Sequence, residues 1–323
     1  MDDVRWFAPN AYAALVVPEL RRRGLAVALE GTGPARLAFA MGGPAAEPAW
    51  RYARARRTPL VVYVWDLPPG STGTGRYDPV VRVGSRLIRL PRPIGGYRRR
   101  AGFFSRLRYV VAAADAVWAA SGMTRDILLE RFGVAAERVP YCYDSARFQR
   151  APEVTRDSPS NILCVSRLER HKNQAMVLRA AVHLGHDVQV RLIGRGPEHQ
   201  RLLALARTLS VRCRIELEAD DATVTRAYHT AAVVAAPSRF EGFGLTPIEA
   251  LASGTPTVVS DIPPHREFLG GIVRLVPPDD ERALAAALHD AMGEPPPDPA
   301  SVSSLTIPSA ADRFESSLRP FLR

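Results

Sequence analysis

Short apolar segments alternate along the chain with longer segments of helical periodicity, and this alternation limits the folds available to it. The first half contains the strand-like segments VRWFAP, LAVALEG, RLAFAMG, TPLVVYVWDLP, DAVWAAS and ERVPYCY, and the helix-like segments YAALVVPELRRRG, AWRYARARR and MTRDILLERFG. Apolar runs of about four to seven residues separated by helices are typical of parallel strands that are buried on both faces. The pattern therefore predicts an α/β protein with helices on both sides of a parallel sheet.

The alternation begins again after residues 151–160, a polar stretch with two prolines that we interpret as a linker. The strands predicted beyond it are NILCVS, VQVRLIG, RIELE, VVAAP, TPTVVS and IVRLVP, with helices between them. Two domains are expected because 323 residues exceed the size at which one hydrophobic core usually stops growing. We predict Rossmann-like domains at residues 1–150 and 151–300. A C-terminal helix within residues 301–323 is a candidate to pack back on the first domain.

Cysteine usage and hydropathy favour a cytoplasmic location. Cys142, Cys164 and Cys213 are odd in number and form no C-x-x-C pair, which argues against a disulfide framework or a zinc site. The N-terminal MDDVRWF lacks the basic and apolar regions of a signal peptide. No uncharged apolar run approaches the roughly 18 to 20 residues that span a bilayer. We therefore expect any membrane association to be peripheral.

Positive charge is concentrated in the first half of the chain. Residues 1–150 contain 24 arginines and 12 acidic residues, whereas residues 151–323 contain 18 arginines, one lysine and 21 acidic residues. Nine of the arginines lie within residues 82–108, interleaved with Leu, Ile, Tyr and Phe. Three interpretations of this segment stay open: a solvated helical face, a contact with an anionic membrane or lipid-linked acceptor, and a nucleic-acid contact. No recognised nucleic-acid module accompanies it, which argues against the third.

The chain contains a single lysine, Lys172, beside 42 arginines. It lies in SRLERHKNQ, residues 166–174. A guanidinium is a rigid planar fork of hydrogen-bond donors, whereas an ammonium is a compact charge on a flexible stem, so the two are not interchangeable. Either Lys172 is an arbitrary surface residue, or it serves a site that requires an ammonium group.

Two glutamates, Glu241 and Glu249, lie eight residues apart in SRFEGFGLTPIEALASGTP, which follows the predicted strand VVAAP. Thr246 as the N-cap, Pro247 at the first helical position and Glu249 at the third predict a capping box, and a capping glutamate needs no ligand. The same helix start also predicts an anion site, because the free N–H groups of a first turn attract a phosphate. The two glycines between the glutamates favour this site, since glycine lets a ligand approach the backbone.

EGFGLTPIE resembles the E-x7-E signature of retaining glycosyltransferase family 4, whose members have the GT-B fold and use nucleotide-diphospho sugars. The segment IEALASGTPTVVSDIPPHREFL is similar to a further segment of that family. SRLERHKN resembles its G-R-L-x-x-x-K-N segment, which grips the donor diphosphate. The resemblance implies an α/β GT-B fold, in which two Rossmann-like, doubly wound parallel-sheet domains face each other across a cleft.

The resemblance also implies the activity. It is that of a hexosyltransferase-like enzyme that works without metal or cofactor and retains the anomeric configuration of the transferred sugar. The donor is expected to be a UDP- or GDP-sugar bound by the second domain, and the basic first domain is expected to receive the acceptor. The motifs do not identify that acceptor, which is a sugar, a glycolipid or a small molecule. No D-x-D motif or His/Asp/Glu cluster in the sequence indicates a metal ion.

The same motifs imply the site residues. Arg167 and Lys172 are implied to hold the diphosphate, with Lys172 near the leaving oxygen, and Glu241 to contact hydroxyls of the transferred sugar. These three are the candidate catalytic residues. Glu249 is implied to accept hydrogen bonds from the ribose. The other implied donor contacts are Gly242, Phe243, Gly244, Leu245 and Thr246.

The first half departs from the family pattern. The segment after the first strand reads APNAYAA where the family has a Gly-Gly pair, and the inter-domain N-G-V-D of the family is YCYD at residues 141–144. All seven histidines lie at position 171 or later, so the family's N-domain histidine is missing. Trp65 and Asp66, at the end of VVYVWD, are candidates for the acceptor side.

Two alternatives of other classes stay open. A non-catalytic GT-B relative would bind an anionic membrane or nucleic acid. A nucleotide-sugar epimerase would share the fold and the donor. Release of free sugar, as opposed to formation of a larger glycosylated product, distinguishes an epimerase from a transferase.

Overall fold

The computed structural model describes residues 1–7, 11–29, 33–67, 80–83, 86–89, 107–149, 160–185 and 187–322. The chain divides into two compact units. Unit 1 comprises Met1–Tyr141 and Ile307–Arg323, and unit 2 comprises Cys142–Thr306. Unit 2 extends beyond the predicted boundaries of 151 and 300 at both ends. A parallel bridge between Tyr143 and Thr306 joins these two extensions, and the Tyr143 N–H donates to the carbonyl oxygen of Leu305 at 3.0 Å.

Unit 1 is built on a six-stranded parallel sheet with the strand order β2-β1-β3-β4-β7-β8. Its elements in chain order are β1 (Asp2–Phe7), α1 (Ala11–Arg22), β2 (Val27–Ala28), β3 (Ala35–Met41), α2 (Gly43–Arg56), β4 (Leu60–Val64), β5 (Val80–Val83), β6 (Arg86–Arg89), α3 (107–112), β7 (Ala116–Ala119), α4 (Gly122–Ile127) and β8 (Glu137–Arg138). β3 and β4 are almost entirely buried, as expected for strands covered by helices on both faces.

The arginine-rich segment 82–108 contains strand where a helical face was one interpretation. β5 and β6 form an antiparallel pair, with Arg82 opposite Leu87 and Val83 opposite Arg86. The helical interpretation is therefore wrong for these residues. Residues 84–85 and 90–106 lie outside the described part of the chain.

Unit 2 is built on a second six-stranded parallel sheet, with the order β11-β10-β9-β12-β13-β14. Its elements in chain order are β9 (Ser160–Val165), α5 (Gln174–Leu184), β10 (Val188–Ile193), α6 (His199–Thr208), β11 (Cys213–Glu216), α7 (Asp221–Thr230), β12 (Val233–Ala236), α8 (Leu245–Ala252), β13 (Thr257–Ser260), α9 (Pro263–Leu269), β14 (Arg274–Val276) and α10 (Glu281–Gly293). Short 3₁₀ helices occupy Arg170–Lys172 and Pro299–Leu305.

This strand order is that of a doubly wound Rossmann sheet, and it reverses direction between β9 and β12. Ligands of such sheets bind outside the carboxyl ends of the strands at the point of reversal. The loops that follow β9 and β12 are therefore the positions in unit 2 where a binding site is expected. These two loops contain Lys172 and Glu241.

The C-terminal helix α11 (Ile307–Leu318) belongs to unit 1 and packs against α1. Phe314 at its centre is fully buried in a cluster of aromatic rings. Its ring centroid lies 4.9 Å from that of Trp118 and 5.9 Å from that of Trp6. Tyr12, Phe39 and Tyr63 complete the cluster. The last segment of the chain thus completes the core of unit 1.

Among the described residues, the structure contains no helix with both the length and the apolar character needed to cross a bilayer.

Replacing Phe314 by alanine should lower the free energy of unfolding of unit 1 by about 3 to 5 kcal/mol, because it opens a cavity among packed rings. Urea unfolding followed by tryptophan fluorescence measures this unit, since all four tryptophans of the chain lie in it. Phe321→Ala, at a partly exposed position nearby in sequence, is the matched control and should cost about 1 kcal/mol. Equal losses in the two variants would contradict a core role for α11.

Candidate functional site

The loops after β9 and β12 are joined by an ion pair that is largely shielded from solvent. The Lys172 Nζ lies 2.7 Å from the Glu241 Oε1 and 2.8 Å from its Oε2. Both side chains are only 15% exposed. The Ser238 hydroxyl, also on the β12 loop, donates a third hydrogen bond to the Glu241 Oε1 at 2.7 Å. The single lysine of the chain therefore lies at the reversal point of the sheet, bound to the first glutamate of the E-x7-E segment.

The protonation state of Glu241 follows from these contacts. Burial by itself raises the pKa of the carboxyl group, because it removes water from the charged form. The charge of Lys172 and the hydrogen bonds from Lys172 and Ser238 act in the opposite direction. The resulting pKa of Glu241 is below its ordinary value, so its side chain is a carboxylate at neutral pH.

Arg167 lies on the same loop as Lys172, but it points into solvent. Its side chain is 65% exposed and its guanidinium donates to the Glu169 Oε1 at 2.7 Å. His171, on the same loop, lies 3.3 Å from the Glu169 Oε2 through its Nδ1, and its pKa is lowered first by burial and then by the charge of Lys172. Arg167, Glu169 and Glu241 also act electrostatically on this ring. Both predicted cations thus act on one imidazole, with Lys172 largely shielded from solvent and Arg167 exposed.

The start of α8 differs from the predicted capping box. The helix begins at Leu245, and its N-cap is Gly244, with a φ of 95° and no side-chain cap. The Thr246 hydroxyl donates to the carbonyl oxygen of Val165 at 2.8 Å, at the end of β9. The capping-box prediction is therefore wrong, because the hydroxyl of Thr246 binds the neighbouring strand. The first turn of α8 has no side-chain cap, which leaves its positive dipole end uncompensated.

Glu249 is partly buried and accepts a hydrogen bond from the Tyr228 hydroxyl at 2.8 Å. Burial raises the pKa of Glu249, while Tyr228 and Arg147 lower it, and the sum is a raised value. Burial and the nearby carboxylate raise the pKa of Tyr228 well above its ordinary value, so the tyrosine keeps its proton and donates. Glu249 is thus held in place by α7 and is not used as a helix cap.

The turn before α8 is buried and tightly packed. Gly242, Phe243 and Gly244 are buried, and the Phe243 ring packs on that of Phe268 with 4.4 Å between centroids. Leu245 is partly exposed at the helix start. Gly242, Phe243 and Gly244 form the turn between the Glu241 ion pair and α8, and Leu245 is the first residue of α8. Their contacts with a donor stay a prediction.

The two predicted acceptor-side residues lie in unit 1, directly after β4. The Trp65 ring lies over Gly42, which precedes α2. A Cβ atom at position 42 would come within 2.8 Å of the Trp65 Cη2, so a residue larger than glycine does not fit there. Asp66 is partly exposed. The APNAYAA segment is described only from Ala11 onward.

No group of three or more His, Cys, Asp or Glu side chains suited to a metal ion occurs among the described residues. Metal independence remains a prediction. Sequence patterns did not indicate Ser238 or Tyr228, which contact the two glutamates. Ser238 directly follows the segment VVAAP, residues 233–237, and this position after a predicted strand is its one sequence signal. Tyr228 has no sequence signal.

Comparison with known families shows what the second unit is similar to. Residues 145–303 match the family model described as Glycosyl transferases group 1. The phosphatidyl-myo-inositol mannosyltransferase of Mycolicibacterium smegmatis is 35% identical to the chain over 179 residues, which cover 53% of this chain and 46% of that protein. Glycogen synthase of Mycobacterium tuberculosis is 28% identical over 204 residues, which cover 58% of this chain and 48% of that protein. The aligned part spans about half the length of these relatives.

Solved structures extend the likeness to the whole fold. The Anabaena protein Alr3699/HepE, crystallised with UDP and glucose, gives a TM-score of 0.73 over 99% of this chain and 100% of its own, at 13% identity. Sucrose-phosphate synthase from Thermosynechococcus elongatus gives a TM-score of 0.70 over 88% of this chain and 73% of its own, at 19% identity. The fold is therefore the predicted GT-B fold with two Rossmann-like units. Residues 145–303, within its second unit, are similar to group 1 glycosyltransferases.

The Lys172–Glu241 pair should be strongly coupled. Lys172→Met and Glu241→Gln should each destabilise unit 2 by about 3 kcal/mol, because each leaves a buried charge without its partner. The double variant should cost less than the sum by more than about 1 kcal/mol. Thiol-labelling rates in urea measure the opening of unit 2, since all three cysteines lie in it and Cys142 and Cys164 are buried.

The matched control is the exposed pair of Arg239 and Asp279, whose side chains are 51% and 74% exposed. The same cycle with Arg239→Met and Asp279→Asn should give a coupling below about 1 kcal/mol. Similar coupling energies in the two cycles would show that the Lys172–Glu241 pair stabilises unit 2 no more than an exposed ion pair does.

Proposed function

We propose that this protein is a retaining glycosyltransferase that moves a hexosyl group from a nucleotide-diphospho sugar to an acceptor. One observation carries the proposal: the only lysine of the chain is paired with Glu241 at the reversal point of a Rossmann sheet, in a segment that matches group 1 glycosyltransferases. This is the position at which such sheets bind their ligands. The mannosyltransferase and glycogen synthase relatives support the class of reaction.

The chemistry requires stabilisation of a leaving diphosphate. The bond between the sugar C1 and the β-phosphate oxygen breaks, and the diphosphate keeps the electron pair. The acceptor oxygen bonds to C1 on the same face, and its proton passes to the leaving phosphate oxygen. Fixed cations and N–H groups that meet the developing charge are the largest expected contribution to such a reaction. Lys172 and the uncapped first turn of α8 are the groups assigned to this role.

Arg167 has a second, outer role in the proposal. Because its guanidinium is exposed and bound to Glu169, it can exchange that carboxylate for a phosphate without a burial penalty. Lys172 has less freedom because it is buried against Glu241. The proposal therefore assigns the first phosphate contact to Arg167 and the charge beside the leaving oxygen to Lys172, while Glu241 orients the sugar hydroxyls.

Glu249 is assigned to the ribose of the donor. Its carboxylate is fixed by Tyr228, and a carboxylate oxygen can accept from one ribose hydroxyl while the other oxygen keeps the tyrosine bond. We propose a UDP- or GDP-sugar as donor, with no metal ion. The UDP-glucose complex of the Anabaena HepE protein supports testing a UDP-sugar first.

The acceptor is proposed to be lipid-linked. The first relative named above is a phosphatidyl-myo-inositol mannosyltransferase, so its acceptor is a lipid. The nine arginines of residues 82–108 suit a peripheral contact with anionic lipid headgroups, each near-surface arginine contributing about 1 kcal/mol. Trp65 and Asp66 are proposed to face this acceptor.

Donor kinetics should separate the roles of two residues. Glu249→Ala should raise the donor KM about tenfold or more, because it removes a charge-assisted hydrogen bond to the ribose. Lys172→Ala should mainly lower kcat, by about a hundredfold or more. Transfer or donor hydrolysis with a panel of UDP-, GDP- and dTDP-sugars measures both, after a thermal-shift screen has selected the donor; a donor at 100 times its Kd should stabilise by about 2.7 kcal/mol.

Glu294→Ala is the matched control, because Glu294 is an exposed glutamate paired with Arg274 and should leave both constants unchanged. NMR of the product should show the anomeric configuration of the donor. Unchanged donor kinetics in both site variants would refute the assignment. Release of free sugar without a larger product would favour the epimerase.

Membrane contact can be tested apart from catalysis. The full chain should sediment with vesicles that contain phosphatidylinositol or phosphatidylserine and stay in solution with phosphatidylcholine alone. Binding should weaken as salt rises, since surface charges are screened within about 10 Å at 0.1 M salt. Replacing Arg98, Arg99 and Arg100 by glutamine should reduce sedimentation, whereas the same change at the exposed Arg201 and Arg207 of unit 2 should not. Retention on DNA in place of vesicles would overturn the lipid assignment.

A further inference from the structure

His265, on α9, is a fully buried histidine to which the proposed chemistry gives no task. Its Nδ1 lies 2.8 Å from the carbonyl oxygen of Ser260. A carbonyl oxygen only accepts hydrogen bonds, so Nδ1 carries the proton. In the neutral ring, Nε2 therefore presents a lone pair, and the contact with Ser260 fixes this tautomer.

The Nε2 atom is directed at the turn before α8. It is buried and makes no hydrogen bond within the described part of the chain. A Cβ atom at position 244 would lie 3.1 Å from the His265 Nε2, 3.2 Å from its Cδ2 and 3.9 Å from the Glu241 Cγ. Gly244, the N-cap of α8, therefore packs directly on the imidazole. The turn of residues 242–244 therefore packs against this ring at its last residue.

A chain of hydrogen bonds connects the same ring to the ion pair. The Ser260 hydroxyl, beside the carbonyl that binds His265, donates to the carbonyl oxygen of Ser238. The Ser238 hydroxyl donates to the Glu241 Oε1, which also accepts from Lys172. A displacement of His265 would thus change the position of Gly244 directly. It would also change the position of Glu241 through Ser260 and Ser238.

We infer that His265 is a positioning residue of the proposed donor site, whose neutral ring sets the turn of residues 242–244 and, through Ser260 and Ser238, the carboxylate that holds Lys172. The inference rests on the proposed function and adds a residue to it. His265 acts through its neighbours and touches no reacting atom. Donor binding then requires the neutral ring, because a proton on Nε2 would create a buried N–H with no hydrogen-bond acceptor among the described residues.

The charges around the ring agree with this requirement. Burial lowers the pKa of His265, while the Ser260 carbonyl and Glu241 raise it and Lys172 lowers it, and the sum lies below the ordinary value. On the side of α9, Arg266 is paired with Asp261. Because the pKa is lower in the folded state, the unfolded state binds the proton more readily. Folded-state stability should therefore fall as pH drops from about 6.5 toward the folded pKa.

The first test measures the affinity of the full chain for an intact UDP-sugar, UDP-glucose as the initial probe, between pH 5 and 8 by calorimetry. The wild-type affinity should fall by up to about tenfold per pH unit below the pKa of the ring. His265→Asn keeps a donor for the Ser260 carbonyl but has neither Nε2 nor a titrating ring. This variant should bind UDP-glucose at least about fivefold more weakly than the wild type at pH 7.5. Its affinity should also no longer fall at low pH through titration of residue 265.

Two histidine variants serve as controls. His289→Asn removes an exposed histidine and should leave affinity and pH profile unchanged. His171→Asn removes a second histidine with a lowered pKa. In this variant the affinity for UDP-glucose should still fall at low pH as it does in the wild type, because His265 is present. If His265→Asn has wild-type affinity and the wild-type profile, the inference is wrong.

A double-mutant cycle tests the contact with Gly244. Gly244→Ala should weaken UDP-glucose binding by at least about tenfold in the wild type, and by less in the His265→Ala background, where the imidazole no longer meets the new methyl group. The strain of a φ of 95° is present in both backgrounds and cancels. Equal effects of Gly244→Ala in both backgrounds would exclude the contact.

NMR of ¹⁵N-labelled histidine in the wild type keeps the inference testable if the variants do not fold. The Nδ1-protonated neutral tautomer should be present at pH 7, and an Nε2-protonated or charged ring would overturn the inference. If the wild type binds none of the UDP-, GDP- or dTDP-sugars, the proposed function fails. In that case the tautomer and the same cycle measured by thermal unfolding still decide whether His265 positions Gly244.

Discussion

One largely solvent-shielded pair, Lys172 and Glu241, joins the two loops at the reversal point of the second sheet. Taking two such charges out of water costs several kcal/mol per ion, and the pair persists only when geometry and further hydrogen bonds compensate. Glu241 meets this condition, since both of its oxygens lie within 2.8 Å of Lys172 and Ser238 adds a third bond. The turn that follows Glu241 is continuous with this anchor, so the position of the start of α8 depends on it.

Side chains that could cap α8 are used to attach the helix to its surroundings. Thr246 binds the end of β9, and Glu249 binds Tyr228 on α7. A glycine cap leaves the amino end of the helix without a neutralising side chain, and the positive end of the dipole remains available to an anion. The same glycine packs on His265. His265 and Tyr228, which are assigned no contact with the donor, therefore help to hold the start of α8 in place.

Much of the fold could be predicted because it depends on local pattern. Runs such as NILCVS and VVAAP are too apolar for a surface strand and too short for a buried helix, so they predict buried parallel strands. The capping box could not be judged in the same way. TPIE satisfies the local rule for a cap, but the hydroxyl of Thr246 finds a carbonyl oxygen 81 positions earlier in the chain. The place of α11 in unit 1 likewise depends on rings that are distant in sequence, from Trp6 to Trp118.

Residue order alone predicted the alternation of strands and helices and showed that one lysine stands beside 42 arginines, because periodicity and residue type are local properties. The GT-B fold was predicted from the resemblance of two short motifs to a known family. Three contacts became known from the folded structure: Lys172 pairs with Glu241, Arg167 binds Glu169 at the surface, and His265 packs against Gly244. Each of these contacts joins different loops or depends on burial, and burial is a property of the packed sheet and its helices.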